Sequence, residues 1–222
     1  MNLLGATNKF LYETNMSDQV ITLVDAADDV AQAVHWIASS WLEFQTKRLW
    51  KFRWAEGSVS VVQGTTIYAA PDLGLVDGDV IIRGSAYSES GPIGSITYRE
   101  LRALRRGGGN PDPKRVTKIA FEVGPTAHTY PDVGSSQLIE FDYWRAATEV
   151  SADTDLFTGL PIQYQMMIVH LALTNYGAYI AGQEGQNAYA HHAGKYSVIY
   201  NRWVTFAGED NQIPPIKNSF MG

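Results

Sequence analysis

From Asp28 to Trp54 the chain runs DDVAQAVHWIASSWLEFQTKRLWKFRW. Val30, Val34, Ile37, Trp41 and Phe44 recur at alternating intervals of four and three, which places them on one side of an α-helix. Asp25, Asp28 and Asp29 stand at the start, where negative charge suits exposed helix N–H groups. Lys47, Arg48 and Lys51 stand at the end, where positive charge suits unpaired carbonyls. The pattern predicts a helix that closes near Phe52 or Arg53 and hands over directly to strand-like sequence. Trp36 lies off the apolar stripe, and Trp50 and Trp54 lie beyond it. Those three indoles are left for a helix–sheet junction or a neighbouring subunit.

Upstream, NLLGATNKFLYE (2–13) reads as a short helix with Leu4, Thr7 or Asn8, and Leu11 on its packed side. A connector follows, with Val20, Ile21 and Leu23 as packing anchors. Downstream, the period changes to two. SVSVV, TTIYAA and DVIIRGSAY are strand candidates, separated by Gln63-Gly64, by Pro71–Gly74 and by Asp77-Gly78. SITYRELRALRR predicts a short helix, with Thr97 and Glu100 in capping-box spacing. GGGNPDP (107–113) cannot continue it. RVTKIAFEV and QLIEFDYWRA are further strands, split by the turn-rich GPTAHTYPDVGSS. About five strands without βαβ alternation argue for an antiparallel sheet.

Helical spacing then returns. After Thr158–Pro161, a start signal, Ile162, Met166, Val169, Leu173, Tyr176 and Ile180 mark one helix. After the Gly182–Gly185 break, Tyr189, Ala193, Tyr196, Tyr200 and Trp203 mark a second. A short break between two amphipathic helices predicts an αα-hairpin. The expected fold is α+β: an antiparallel helical bundle of the N-terminal helices and the C-terminal hairpin, with an inserted antiparallel β domain. Residues 1–55 and 156–207 form the bundle, 56–155 the β domain with its short helix near 97–106, and 208–222 an extended arm.

Composition agrees with a globular chain: 45% of its 222 residues are hydrophobic and 18% charged. With no cysteine there are no disulfides, thiolate metal sites or Cys nucleophiles. No apolar run approaches a bilayer span, and the start MNLLGATNKF lacks the pattern of a signal peptide. Aromatics reach 12%, which suits either an aromatic core or a protein-contact surface. The sequence holds no HExxH, GxSxG, P-loop or GxGxxG. His191 and His192 are helix neighbours pointing apart, and His35, His128 and His170 are isolated in sequence. No catalytic, cofactor or metal residue is therefore assigned.

Two features ask for a partner. Arg99, Arg102, Arg105, Arg106, Lys114, Arg115 and Lys118, opposed by Glu100 and Asp112, give a local net +5 in a chain of net −6. That cluster is a solvated helix and loop, a contact for DNA phosphates, or a contact for an acidic face of a partner. In the tail, Ile213, Pro214, Pro215, Ile216 and Phe220 make either a ragged terminus or an arm that docks into another protein.

The order of these elements resembles the head-to-tail adaptor proteins of tailed bacteriophages, called tail tubular protein A in short-tailed phages. The resemblance covers nearly the whole chain. It rests on VITLVD (20–25), the Asp28–Trp54 helix, YAAPDLG (68–74), FDYWRA (141–146), DTDLFTGLP (153–161) and the closing hairpin. The chain departs from it at Lys47-Arg48-Leu49, where a Gly before the Trp is more usual. The resemblance implies a homo-oligomeric, normally dodecameric ring beneath the portal protein. Such a ring extends the DNA channel and offers a platform to the next tail component, a nozzle or tail-tube protein, with tail fibres as a further contact. It implies a virion location at the head–tail interface after assembly in the host cytoplasm. It also implies no catalysis, no cofactor and no membrane, DNA passing without specific binding, and an arm 213–220 reaching the portal. A DNA-binding module acting through residues 99–118 is the competing expectation, and an enzyme the third.

Overall fold

A computed structural model of the chain describes residues 1–24, 28–107, 115–122, 125–133, 135–180 and 182–210. Among the described residues the fold is mixed α+β, with five α-helices and mainly antiparallel sheets. The chain separates into two compact units, Met1–Phe52 with the chain from Ala147 on, and Arg53–Ala146.

In the first unit, the Asn2 side chain accepts from Gly5 N at 2.9 Å and caps α1 (Leu3–Thr14). Leu3, Ala6, Thr7, Phe10 and Leu11 are its buried face. Asn8 lies outside that face and binds the connector instead. α2 (Asp28–Thr46) buries Ala33, Ile37, Ser40, Trp41, Phe44 and Gln45, while Val30 and Val34 pack at the core's edge. The helix ends at Thr46, earlier than its charges suggested, and Lys47, Arg48 and Lys51 lie past its last turn. Trp50 explains the early stop. Its Nε1 donates to the Phe44 carbonyl at 2.7 Å, satisfying a helix-end acceptor, and a 3₁₀ turn at Lys51–Arg53 follows.

A 3₁₀ turn at Ile162–Tyr164 precedes α4 (Met166–Tyr179); α3 belongs to the second unit. Every residue from Met167 to Thr174 is buried. A stripe was expected, but the run MMIVHLALT is apolar around its circumference, and such a helix buries on all sides. α1, α2 and α5 (Gln183–Asp210) all pack against α4. α5 turns Trp203 inward and packs Tyr196 and Tyr200 against the core, as expected, and buries His192 and Ala207 as well; of the expected face Tyr189 is exposed. Gly177 is where α4 meets α5, since a Cβ there would lie 2.6 Å from Tyr189 N.

Among its described residues the second unit holds two sheets and nine strands, where one sheet of about five strands was expected. β1 (Trp54–Val61) pairs along its whole length with β9 (Gln137–Trp144), from Trp54↔Trp144 to Val61↔Gln137. β3 (Val80–Ile81) and β4 (Tyr87–Ser88) also pair with β9, and β5 (Gly91–Pro92) pairs with β4. The second sheet runs β2 (Ile67–Tyr68), β8 (Thr126–Tyr130), β7 (Lys118–Glu122), β6 (Gly94–Ser95). β6 lies parallel to β7, a departure from the all-antiparallel expectation. β8 falls inside GPTAHTYPDVGSS. Its flanking Pro and Gly masked a short run with β-branched and aromatic residues. Val59, Val61, Ile139 and Phe141 of the first sheet share a core with Ile119 and Ala127 of the second.

The Thr97 hydroxyl accepts from Glu100 N, and the Glu100 carboxylate accepts from Thr97 N at 2.7 Å. This capping box starts α3 (Tyr98–Arg106), whose one buried residue is Leu101. The first unit resumes at Ala147, before the expected boundary at 156. Gln45 accounts for the difference. Its amide donates to Thr148 O at 2.8 Å and accepts from Thr148 N at 3.0 Å, binding this segment to α2.

Candidate assembly surfaces

At 100° per residue, Arg99, Arg102 and Arg106 fall on one side of α3, and all three are exposed. The Arg102 guanidinium lies 5.9 Å from the Tyr98 ring. Arg105 is turned differently and donates to Thr129 O at 3.3 Å. Arg115 and Lys118 are exposed, and the Lys118 side chain lies over Gly94. Lys114 lies outside the described residues. Glu100, counted against the cluster, is engaged in the cap. Its hydrogen bonds from the Thr97 backbone and hydroxyl hold its carboxyl below the ordinary range.

Beside α3 lies a cleft of about 450 Å³. Val80 and Ile81 of β3 line one part of it, Ser95 to Tyr98 a second, and Phe121 and Glu122 a third. The Glu122 carboxylate is 2.9 Å from His128 Nε2, and the His128 ring sits 4.8 Å from that of Tyr98. Asp79 anchors the cleft by accepting from Val76 N at 3.0 Å and Ala146 N at 2.7 Å.

The three indoles set aside in the sequence have different environments. Trp50 is 2% exposed and stacks on Phe44 at 4.7 Å. It belongs to the core, which corrects its assignment to a subunit interface. Trp36 is half-buried at the rim of the first unit, 6.2 Å from the Tyr176 ring and 5.8 Å from that of Tyr179, which is exposed. Trp54 is half-buried opposite Trp144. The arm residues Ile213, Pro214, Pro215, Ile216 and Phe220 lie outside the described residues.

Two features gave no signal in the sequence. His170 Nδ1 and His192 Nδ1 meet at 3.3 Å between α4 and α5. Burial first, and then the neighbouring His192, push the His170 imidazole down to about 4. His192 is lowered as well, chiefly by burial. Among the described residues no three His, Cys, Asp or Glu side chains gather as a metal site. The second feature is the connector before α2. Asn8 Nδ2 donates to Val20 O and its Oδ1 accepts from Val20 N, both at 2.8 Å. Asp153 accepts from Leu23 N at 2.9 Å and from the Thr22 hydroxyl at 2.7 Å. Between these two anchors Ile21, expected to pack, is 94% exposed. Asn8 and Asp153 are remote in sequence from the backbone they hold, so no periodicity announces them.

No described helix is long and apolar enough to cross a membrane. A search of curated proteins finds no match to the chain. The model of the SU10 adaptor protein family matches residues 14–205. The chain therefore belongs to the SU10 adaptor protein family, a family of phage adaptors, and is a structural component of the virion that meets other head and tail components.

Proposed function

We propose that this adaptor forms a ring, dodecameric as in the tail tubular protein A type, beneath the portal protein at the head–tail interface. The ring extends the DNA channel and carries the next tail component. The helical unit acts as an antiparallel bundle that builds the ring, and the β unit presents α3 and its cleft to partners. The arm with Ile213, Pro214, Pro215, Ile216 and Phe220 docks on the portal. The protein works without a catalytic step. The family match over residues 14–205 carries this reading. The exposed connector and the half-exposed aromatic group at Trp36 support it, because isolated protomers gain little from large apolar side chains held in water. The net charge of −6 suits a channel wall that does not grip DNA. Deleting residues 209–222 tests the arm: portal binding disappears while the circular dichroism spectrum is kept. Unchanged binding contradicts its role.

A second reading, a DNA contact through α3, is favoured by the shared exposed face of Arg99, Arg102 and Arg106. It requires DNA affinity that falls steeply with salt. No retention on DNA at low ionic strength eliminates it.

A further inference from the structure

We infer that Val20–Val24 of one copy docks through Ile21 into the cleft beside α3 of a second copy of this chain. The inference rests on the ring reading above and names the contact that would build the ring.

The docking segment is held ready. Asn8 takes both backbone hydrogen-bonding groups of Val20, and Asp153 takes Leu23 N and the Thr22 hydroxyl. The chain between them is already ordered, which removes part of the entropy cost of binding. Ile21, 94% exposed, and Val24, 71% exposed, project outward. Among the described residues the N–H and C=O of Ile21 have no partner.

The cleft lies between two sheet edges, since among the described residues β3 pairs only with β9 and β6 only with β7. Ile82 N donates to Asp142 O at 2.8 Å, so the backbone groups of Ile81, one residue earlier, turn away from β9. Gly94 N and Ile96 N donate to Thr117 O and Ile119 O, so those of Ser95 turn away from β7. Ile81 and Ser95 both line the cleft. Open edges of this kind offer main-chain hydrogen bonds to a docked segment, while its projecting side chain fills the pocket. Ile96, Phe121 and Tyr98 give Ile21 an apolar pocket.

Charge selects a copy of this chain as the occupant. Asp18, Asp28 and Asp29 are exposed on either side of the segment, and Arg83, Arg99 and Arg102 are exposed on and around the cleft. Of the acids in the cleft wall, Asp79 is engaged by two backbone donors and Glu122 faces His128, which leaves Asp77 at the rim. Segment and cleft are different surfaces of one chain. Their pairing is therefore heterologous, the type of contact that closes into a ring.

The natural absence of cysteine makes the test direct. A Gln19→Cys chain, exposed beside the segment with Ile21 kept, is mixed with a Val80→Cys chain and treated with a short bismaleimide. The control partner is Ser60→Cys, exposed on β1. Docking predicts covalent pairs at least about tenfold faster with Val80→Cys than with the control, through effective concentration. It also predicts that adding Asn8→Ala to the Gln19→Cys chain slows the reaction. Equal rates with both partners overturn the inference. Sedimentation of the unaltered chain, run in parallel, separates the two failures. Rings with equal cross-linking rates remove the docking contact and leave the ring reading. A persistent monomer with equal rates removes both.

Discussion

Trp50 and Phe44 stack at 4.7 Å while the Trp50 indole also closes the end of α2. Removing the ring takes away packing and leaves the Phe44 carbonyl without that donor. Trp50→Ala should cost about 3–5 kcal/mol, read as a lower denaturant midpoint. A loss below about 1 kcal/mol would contradict this core assignment. The His170–His192 pair makes a second residue-scale prediction. The folded imidazole of His170 titrates near 4 against an ordinary 6.5, so between those values the unfolded chain binds more protons. The stabilisation is fully present above about 6.5 and is lost as pH falls toward 4, by on the order of 2–3 kcal/mol. Thermal melts from pH 7.5 to 4 should fall less steeply for His170→Phe than for the natural chain. Parallel profiles would contradict the assignment. His191, Lys195 and His192 on α5 oppose protonation and Glu13 on α1 favours it. None of this was legible in sequence, because His170 and His192 stand on separate helices and meet only through tertiary packing.

At the scale of elements, local chemistry was readable where it was self-contained. The Thr97–Glu100 box predicted the start of α3, and alternation predicted the long strands β1 and β9. It failed where distant residues decided the outcome. Trp50 folds back to end α2 early, and the two-residue strands β5 and β6 carry too little pattern to be seen, although β2 and β3 fall inside the expected TTIYAA and DVIIRGSAY. β8 is recognisable by its pairing with β2 on one side and with β7 on the other, the latter from Lys118↔Tyr130 to Glu122↔Thr126. The α4–α5 contact also depends on a position that reads as neutral in sequence. A Cβ at Gly177 would press on the Tyr189 backbone, which cannot move as a flexible side chain would. Gly177→Ala should destabilise the chain by about 1–3 kcal/mol, despite alanine's better helix propensity. A gain in melting temperature would show that the two helices can separate without cost.

For the whole molecule, membership of the adaptor family fixes the class of function, and the surfaces described above suggest how the class is realised. The resemblance seen in sequence lay in element order and short phrases. The surfaces that would make an assembly were hidden, since Ile21 is held outward by Asn8 and Asp153 and the cleft joins segments from residue 77 to residue 125. Trp36→Ala should reduce assembly more than protomer stability, because Trp36 lies at the rim beside the exposed Tyr179 and not in the centre of the core. Denaturation and sedimentation of the same variant compare the two losses, and equal losses would return Trp36 to the core. If the chain is a ring-forming adaptor whose partner is the portal, the mass of the protein measured alone and mixed with that portal will show it. A closed ring of defined copy number is expected on the portal. A chain that stays unbound at every ratio, or binds as scattered single copies, would contradict it.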